Sequence, residues 1–135
     1  MKNTAPWAKD YVGIPFLSGG RDRNGADCYG LVRLVRTEQF GGSLPLMSGD
    51  YTDADNFAET ETLIRSRQPL LAGVRVERPE TGDVCVLTFH GLPVHLGVCA
   101  GSGWLLHTLK GTGSVLQRVS DPCLAGRIEG WYRVG

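Results

Sequence analysis

The stretch NGADCYGLVRLV, residues 24–35, turns a polar loop into an apolar helix and sets a cysteine at the join. Leu31, Leu34 and Val35 recur at helical spacing while Arg33 and Arg36 fall elsewhere, which predicts a helix of about three turns beginning at Asp27. Gly41-Gly42 ends it, and both arginines lie toward the end where the helix dipole suits cations. Asp27, or Asn24 three residues earlier, has the chemistry of an N-cap and places Cys28 in the first turn, among unpaired backbone N–H groups. A thiolate is favoured there and the thiol pKa is expected to fall. The other reading of Cys28 is a small buried residue packing on Tyr11 or Trp7. Cys85, Cys99 and Cys123 take that second reading: two lie inside apolar strands, and Cys123 follows Pro122 in a turn.

Upstream, APWAKDYVGIPF (5–16) predicts a short helix with Trp7 and Tyr11 on one side, ended by Gly13 and Pro15, and LSGGRDRNGAD (17–27) a loop. Downstream, residues 43–55 are rich in turn formers, and NFAETETLIRSR (56–67) places Phe57, Leu63 and Ile64 as a second amphipathic helix. Val74 and Val76 alternate with charges in a short strand closed by Pro79. VCVLTF (84–89), VHLGVCA (94–100) and WLLHTL (104–109) read as three apolar strands, and GRIEGWYRV (126–134) holds a last one. Helices first and antiparallel strands later define an α+β fold, with N-terminal helices packed on a central antiparallel sheet. At 135 residues the chain (1–135) is expected to form one domain.

Lys plus Arg and Asp plus Glu total 14 each, with no block of like charge, which argues against a nucleic-acid groove or an anionic membrane surface as partner. The first ten residues lack the apolar core of a secretory signal and no run reaches the roughly 18 apolar residues of a membrane helix, so a soluble chain made in the cytoplasm is expected. Four widely spaced cysteines without a C-x-x-C pair support neither a zinc site nor a disulfide framework; no metal or cofactor is expected.

A nucleophilic thiol needs a base, and the base an orienting partner. Only His90, His95 and His107 are available. A hairpin with a three-residue loop at 100–102 sets His95 directly opposite His107, about 5 Å apart; a two-residue loop leaves them diagonal, about 7 Å apart. Either way they form a candidate triad of Cys28 as nucleophile, His95 as base and His107 as orienting group. The alternative is a pair of half-buried strand histidines bonded to backbone or water. His90, before Gly91 and Pro93, reads as solvated or substrate-facing.

In this arrangement the chain resembles the NlpC-type family of papain-like cysteine peptidases, the cell-wall hydrolases that cleave peptidoglycan stem peptides. The resemblance is carried by YVGIPFLSGGRDRNGADCYGLV (11–32) with its Asp-Cys-x-Gly-Leu, by the Gly-Asp turn of TGDVCVLTF (81–89), and by HLGVCAGSGWLLHT (95–108). It implies the same triad and an endopeptidase acting between D-glutamate and a diamino acid. The segment at 30–55 further resembles the branch carried by tailed bacteriophages and gene-transfer particles, which implies tail-tip proteins as partners and a virion tail tip as location. Two departures stand out: Phe16 where many relatives have Tyr, and Tyr29 where many have Ser. Phe cannot donate a hydrogen bond to an oxyanion, and Tyr29 reshapes the pocket beside the thiol. The resemblance gives Asp27 a second reading beside the cap, as a ligand for the free amine of a stem peptide. Arg21 or Arg23 is a candidate for a substrate carboxylate, against the reading of a solvated loop charge. The competing function is a tail-tip structural module that binds wall peptide without cutting it. Metal binding by Cys28, His95 and His107 is a third reading, weakened by the lack of a fourth ligand.

Overall fold

The computed structural model describes residues 3–42, 44, 74–89 and 92–134. The expected helix at 56–67, the irregular segment at 43–55 except Leu44, and His90 lie outside the described residues.

The cap and the stop signal of the central helix act as the sequence predicts. The helix α1 spans Cys28–Phe40; Asp27 Oδ1 accepts the Gly30 N–H at 2.9 Å, and Gly41 closes it in the left-handed conformation. Its inner side buries Tyr29, Leu31, Val32, Leu34 and Val35. The N-terminal helix is shorter than expected, a single 3-10 turn at Ala8–Tyr11. Inside the expected loop a small hairpin forms, β1 (Arg21–Asp22) with β2 (Gly25–Ala26). It is held against α1 by an approach so close that a Cβ on Gly30 would stand 1.9 Å from the Gly20 carbonyl oxygen.

Among the described residues six strands make the main sheet: β3 (Val74–Val76), β4 (Val84–Phe89), β5 (Leu92–Gly101), β6 (Trp104–Leu109), β7 (Gly113–Arg118) and β8 (Ile128–Arg133). Their order is β3-β8-β4-β5-β6-β7 and every pairing is antiparallel. Strand β7 and the one-turn helix α2 (Pro122–Ala125) were not expected from the sequence. One sheet face, with Val84, Val86, Leu96, Val98 and Leu106, packs on α1 and the N-terminal turn. The other, with Cys85, Leu87 and Leu105, is covered by Leu124 of α2 together with Val119, Ile128 and Trp131. The α+β reading therefore holds. Cys123 departs from its expectation: it is exposed on α2, whereas Cys85 and Cys99 are buried.

Candidate active site

Cys28 is the first residue of α1, and the capping carboxylate immediately before it is fully buried and fully engaged. Asp27 Oδ1 takes Gly30 N–H and the Arg21 guanidinium, both at 2.9 Å, while Oδ2 takes Gly19 N–H at 2.8 Å. Arg21 also lies over the Tyr29 ring, 5.1 Å from its centroid. Arginine, carboxylate and aromatic thus form one block under the loop that leads to the thiol. The cap reading of Asp27 is what the geometry displays, and Arg21 is an internal partner instead of a solvated charge. Arg23 is tied to Glu38 at 2.8 Å and to the Asp10 carbonyl at 2.8 Å, and lies over the Tyr11 ring. Tyr29 is buried in the core cluster that also holds Cys28. Phe16 is half-buried, and its neighbours strap its backbone to Ala26: Ala26 N–H donates to Pro15 O at 3.0 Å and Leu17 N–H to Ala26 O at 3.3 Å.

The two histidines meet across the β5–β6 hairpin, on a register that differs from the first expectation. Gly101 faces Trp104 around a two-residue turn, Cys99 faces Leu105 and Val98 faces Leu106, with a shift between Cys99 and Gly101. On this register His95 and His107 are diagonal, as the shorter loop requires, not directly opposite. Gly103, at φ 78°, supplies the left-handed residue that so tight a turn needs. The side chains close the remaining gap: His95 Nε2 and His107 Nδ1 are 2.9 Å apart with the rings edge to face. Gly97 makes room for this crossing, since a Cβ there would meet Leu105 Cδ1 at 2.6 Å.

Both histidines are buried, and burial favours the neutral ring. It holds His95 down to about 3, with His107 adding to the effect, and lowers His107 as well, against the Gln117 hydrogen bond that raises it. The Cys28 thiol moves opposite to the sequence expectation. Burial, then the Asp27 charge, push it up to about 12, against backbone N–H groups of Leu96 and Tyr29 and the Arg21 charge, which favour the thiolate. Those N–H groups place the sulfur beside the β5 backbone at the residue following His95. Desolvation, which the sequence could not show, outweighs the helix terminus. Cys28 and His95 each keep 8% of their surface accessible, so the pair is nearly closed over but still reaches solvent.

One residue of the site escaped the sequence reading. Gln117 Oε1 lies 2.8 Å from His107 Nε2. It stands on the unexpected strand β7, and the turn former GTG (111–113), which folds β7 back on β6, is the signal that could have found it. Among the described residues a surface cleft of 390 Å³ is lined by Cys99, Trp104 and Trp131, and one of 480 Å³, lined by Trp104, Gln117 and Asp121, opens beside Gln117. Among the described residues no three or more His, Cys, Asp or Glu side chains gather as metal ligands, and no helix is long and apolar enough to cross a membrane.

A cysteine at the head of a helix packed on an antiparallel sheet that carries two bonded histidines is the architecture of a papain-like cysteine-peptidase fold. The NlpC/P60 family model matches residues 13–130, and the chain belongs to that family. It is 22% identical over 113 residues to the murein DD-endopeptidase MepS/murein LD-carboxypeptidase of Escherichia coli K12, over 84% of this chain and 52% of that protein. The chain thus spans about half the length of the curated relatives it matches. Among solved structures it is similar to the NlpC/P60 domain of the peptidoglycan hydrolase SagA (TM-score 0.63, 20% identity, covering 94% of this chain and 92% of that one). It is also similar to an NLP/P60 lipoprotein-like protein of Staphylococcus aureus (TM-score 0.63, 21% identity, 94% and 38%). These likenesses show the fold.

Proposed function

We propose that this domain is a cysteine endopeptidase that hydrolyses an amide bond in peptidoglycan stem peptides, between D-glutamate and a diamino acid. Cys28 is the nucleophile, His95 the base and His107 the group that orients His95. The observation that carries the reading is the buried 2.9 Å bond from His95 Nε2 to His107 Nδ1 on the strand whose Leu96 N–H favours the Cys28 thiolate. The thiol gives its proton to His95 as sulfur bonds to the carbonyl carbon; His95 returns it to the departing amine, and the C–N bond breaks. Water, deprotonated by His95, then releases the acid and regenerates the thiol. With Phe16 unable to donate, the oxyanion depends on backbone N–H groups, that of Cys28 among them. Relatives support the substrate class: one is named a murein endopeptidase and another a peptidoglycan hydrolase.

Asp27 serves α1 and Arg21, so its effect on substrate passes through the groups it holds. Arg23, held by Glu38, leads to substrate only by exchanging that partner. Defined stem peptides digested with wild type and with Cys28→Ala, read by mass spectrometry, test the proposal. New fragments with wild type alone are expected; identical product profiles would overturn it.

The near closure of Cys28 and the phenyl ring of Phe16 favour one other reading, a module of the same fold that binds wall peptide without cutting. Its mark is peptide binding by wild type with no fragments formed. The likeness of 30–55 to phage relatives supports a virion tail tip as the place of action, which the presence of the chain in purified particles tests.

A further inference from the structure

The triad leaves Gln117 without a role, yet it continues the line of hydrogen bonds outward, on the side of Asp121. Gln117 sits on β7 diagonal to His107, because Leu105 pairs with Gln117 and His107 with Val115. Its Oε1 is 2.8 Å from His107 Nε2, and its side chain is among the groups that favour the ionised Asp121 carboxylate, after the Cys123 N–H. Asp121 is fixed in turn: it caps α2 by accepting the Cys123 N–H at 2.8 Å, and its own N–H donates to Arg118 O at 3.0 Å.

The direction of each bond follows from what each atom can do. Gln117 presents its oxygen to His107, and its NH₂ favours the Asp121 carboxylate, which when ionised only accepts. An amide oxygen cannot donate, so His107 carries its proton on Nε2. A neutral imidazole has one proton, so His107 Nδ1 is a bare acceptor and the bond at 2.9 Å is donated by His95 Nε2. His95 then has its lone pair on Nδ1, at the far side of the ring from His107. We infer that Gln117 is a positioning residue that fixes the tautomers of both His107 and His95 and so keeps His95 Nδ1 able to take a proton. The low proton affinity that burial gives both rings is in keeping with one proton on each.

Reversing the amide reverses the whole line. His107 would accept on Nε2 and donate from Nδ1, and His95 would hold its proton on Nδ1, where it can take no other. Once His95 is an imidazolium, the same row of dipoles points its negative ends toward the charge, with Gln117 oxygen as terminus. The catalytic consequence rests on the peptidase reading; the tautomers rest on the hydrogen bonds alone.

Long-range proton–nitrogen NMR of protein labelled with ¹⁵N-histidine, at about pH 7.5 where ordinary imidazole is neutral, reads the tautomers directly. His90→Ala assigns the third signal. Wild type is expected to show His95 and His107 both protonated on Nε2. Gln117→Leu removes the acceptor and moves both rings to mixed tautomers, while Gln117→Glu restores the wild-type pattern. Where wild type cleaves stem peptide, Gln117→Leu lowers kcat by about a hundredfold, the low end of a general base's contribution, with KM little changed. His95 protonated on Nδ1 in wild type, or unaltered tautomers in Gln117→Leu, would overturn the inference. Tautomers that shift while neither protein cleaves would leave it standing and overturn the peptidase reading instead. Should Gln117→Leu not fold, Gln117→Met, of similar length and with only a weak sulfur acceptor, gives the same test, with the same mixing expected and unaltered tautomers again decisive against it.

Discussion

Cys28 combines two influences of opposite sign. A helix N-terminus favours an anion by about 0.3–1 kcal/mol, rising to roughly 2 where partly buried. A shift from the ordinary thiol value of 9.0 to about 12 opposes it with about 4 kcal/mol, so desolvation wins and the resting pair is neutral thiol and neutral imidazole. On the proposed peptidase reading, charge separates only as substrate arrives, when donors face the forming oxyanion. Labelling with iodoacetamide, mapped by mass spectrometry, checks this. Exposed Cys123 is expected to react first at pH 7, whereas Cys28 labels slowly and its rate keeps climbing with pH beyond 9. A Cys28 rate that levels off below neutral pH would mean a preformed thiolate and would contradict the picture. His107 acts one bond further out. His107→Leu takes the acceptor from His95 Nε2 and is expected to lower kcat by about a hundredfold or more, measured on stem-peptide hydrolysis, with substrate affinity nearly unchanged.

The element that places the thiol is α1, and its first turn depends on a buried ion pair. Arg21 and Asp27 have side chains 8% and 1% exposed. Removing one partner leaves the other charge buried and uncompensated, at a cost of about 3–5 kcal/mol. Asp27→Asn is therefore expected to lower unfolding free energy in urea by about 3 kcal/mol, and Arg21→Met in the same chain to recover part of it. Simple additivity of the two losses would show that the pair does not couple. The sequence carried α1 because cap, apolar spacing and stop signal are all local, and strands β4 to β6 because each is a continuous apolar run. Strand β7 was not legible: Val115 and Leu116 are adjacent, which breaks alternation, and the strand forms because β6 offers an open edge. Gln117 was lost with it. The hairpin register was settled by Gly101 and Gly103, where pattern alone allowed two loop lengths. Cys123 faces outward because a short helix formed where a turn was expected.

At the scale of the whole molecule, helices cover both faces of the sheet, and the two bonded histidines are buried within it. That arrangement sets how stability depends on pH. His95 titrates at about 3 when folded and near the ordinary 6.5 when unfolded. Between these values the unfolded chain binds more protons, so stability is fully present above about pH 6.5 and is lost as pH falls toward 3, by about 1.4 kcal/mol per pH unit for this one group. His107, also lowered, steepens the loss in the upper part of that window. At the alkaline end the sign is opposite. Cys28, Cys85 and Cys99 all have raised folded pKa values, so above the ordinary thiol value of 9.0 the unfolded chain releases protons first and the fold weakens. Urea unfolding followed by tryptophan fluorescence should therefore give a plateau between about pH 6.5 and 9 with a fall on each side. The acid limb has a specific control. In His95→Leu/His107→Leu, the difference in unfolding free energy between pH 7 and pH 5 should shrink by more than 1 kcal/mol relative to wild type, roughly what one histidine contributes over that span. An unchanged difference would mean that the two rings are solvated and titrate normally, and with that the neutral, tautomer-ordered pair would be lost.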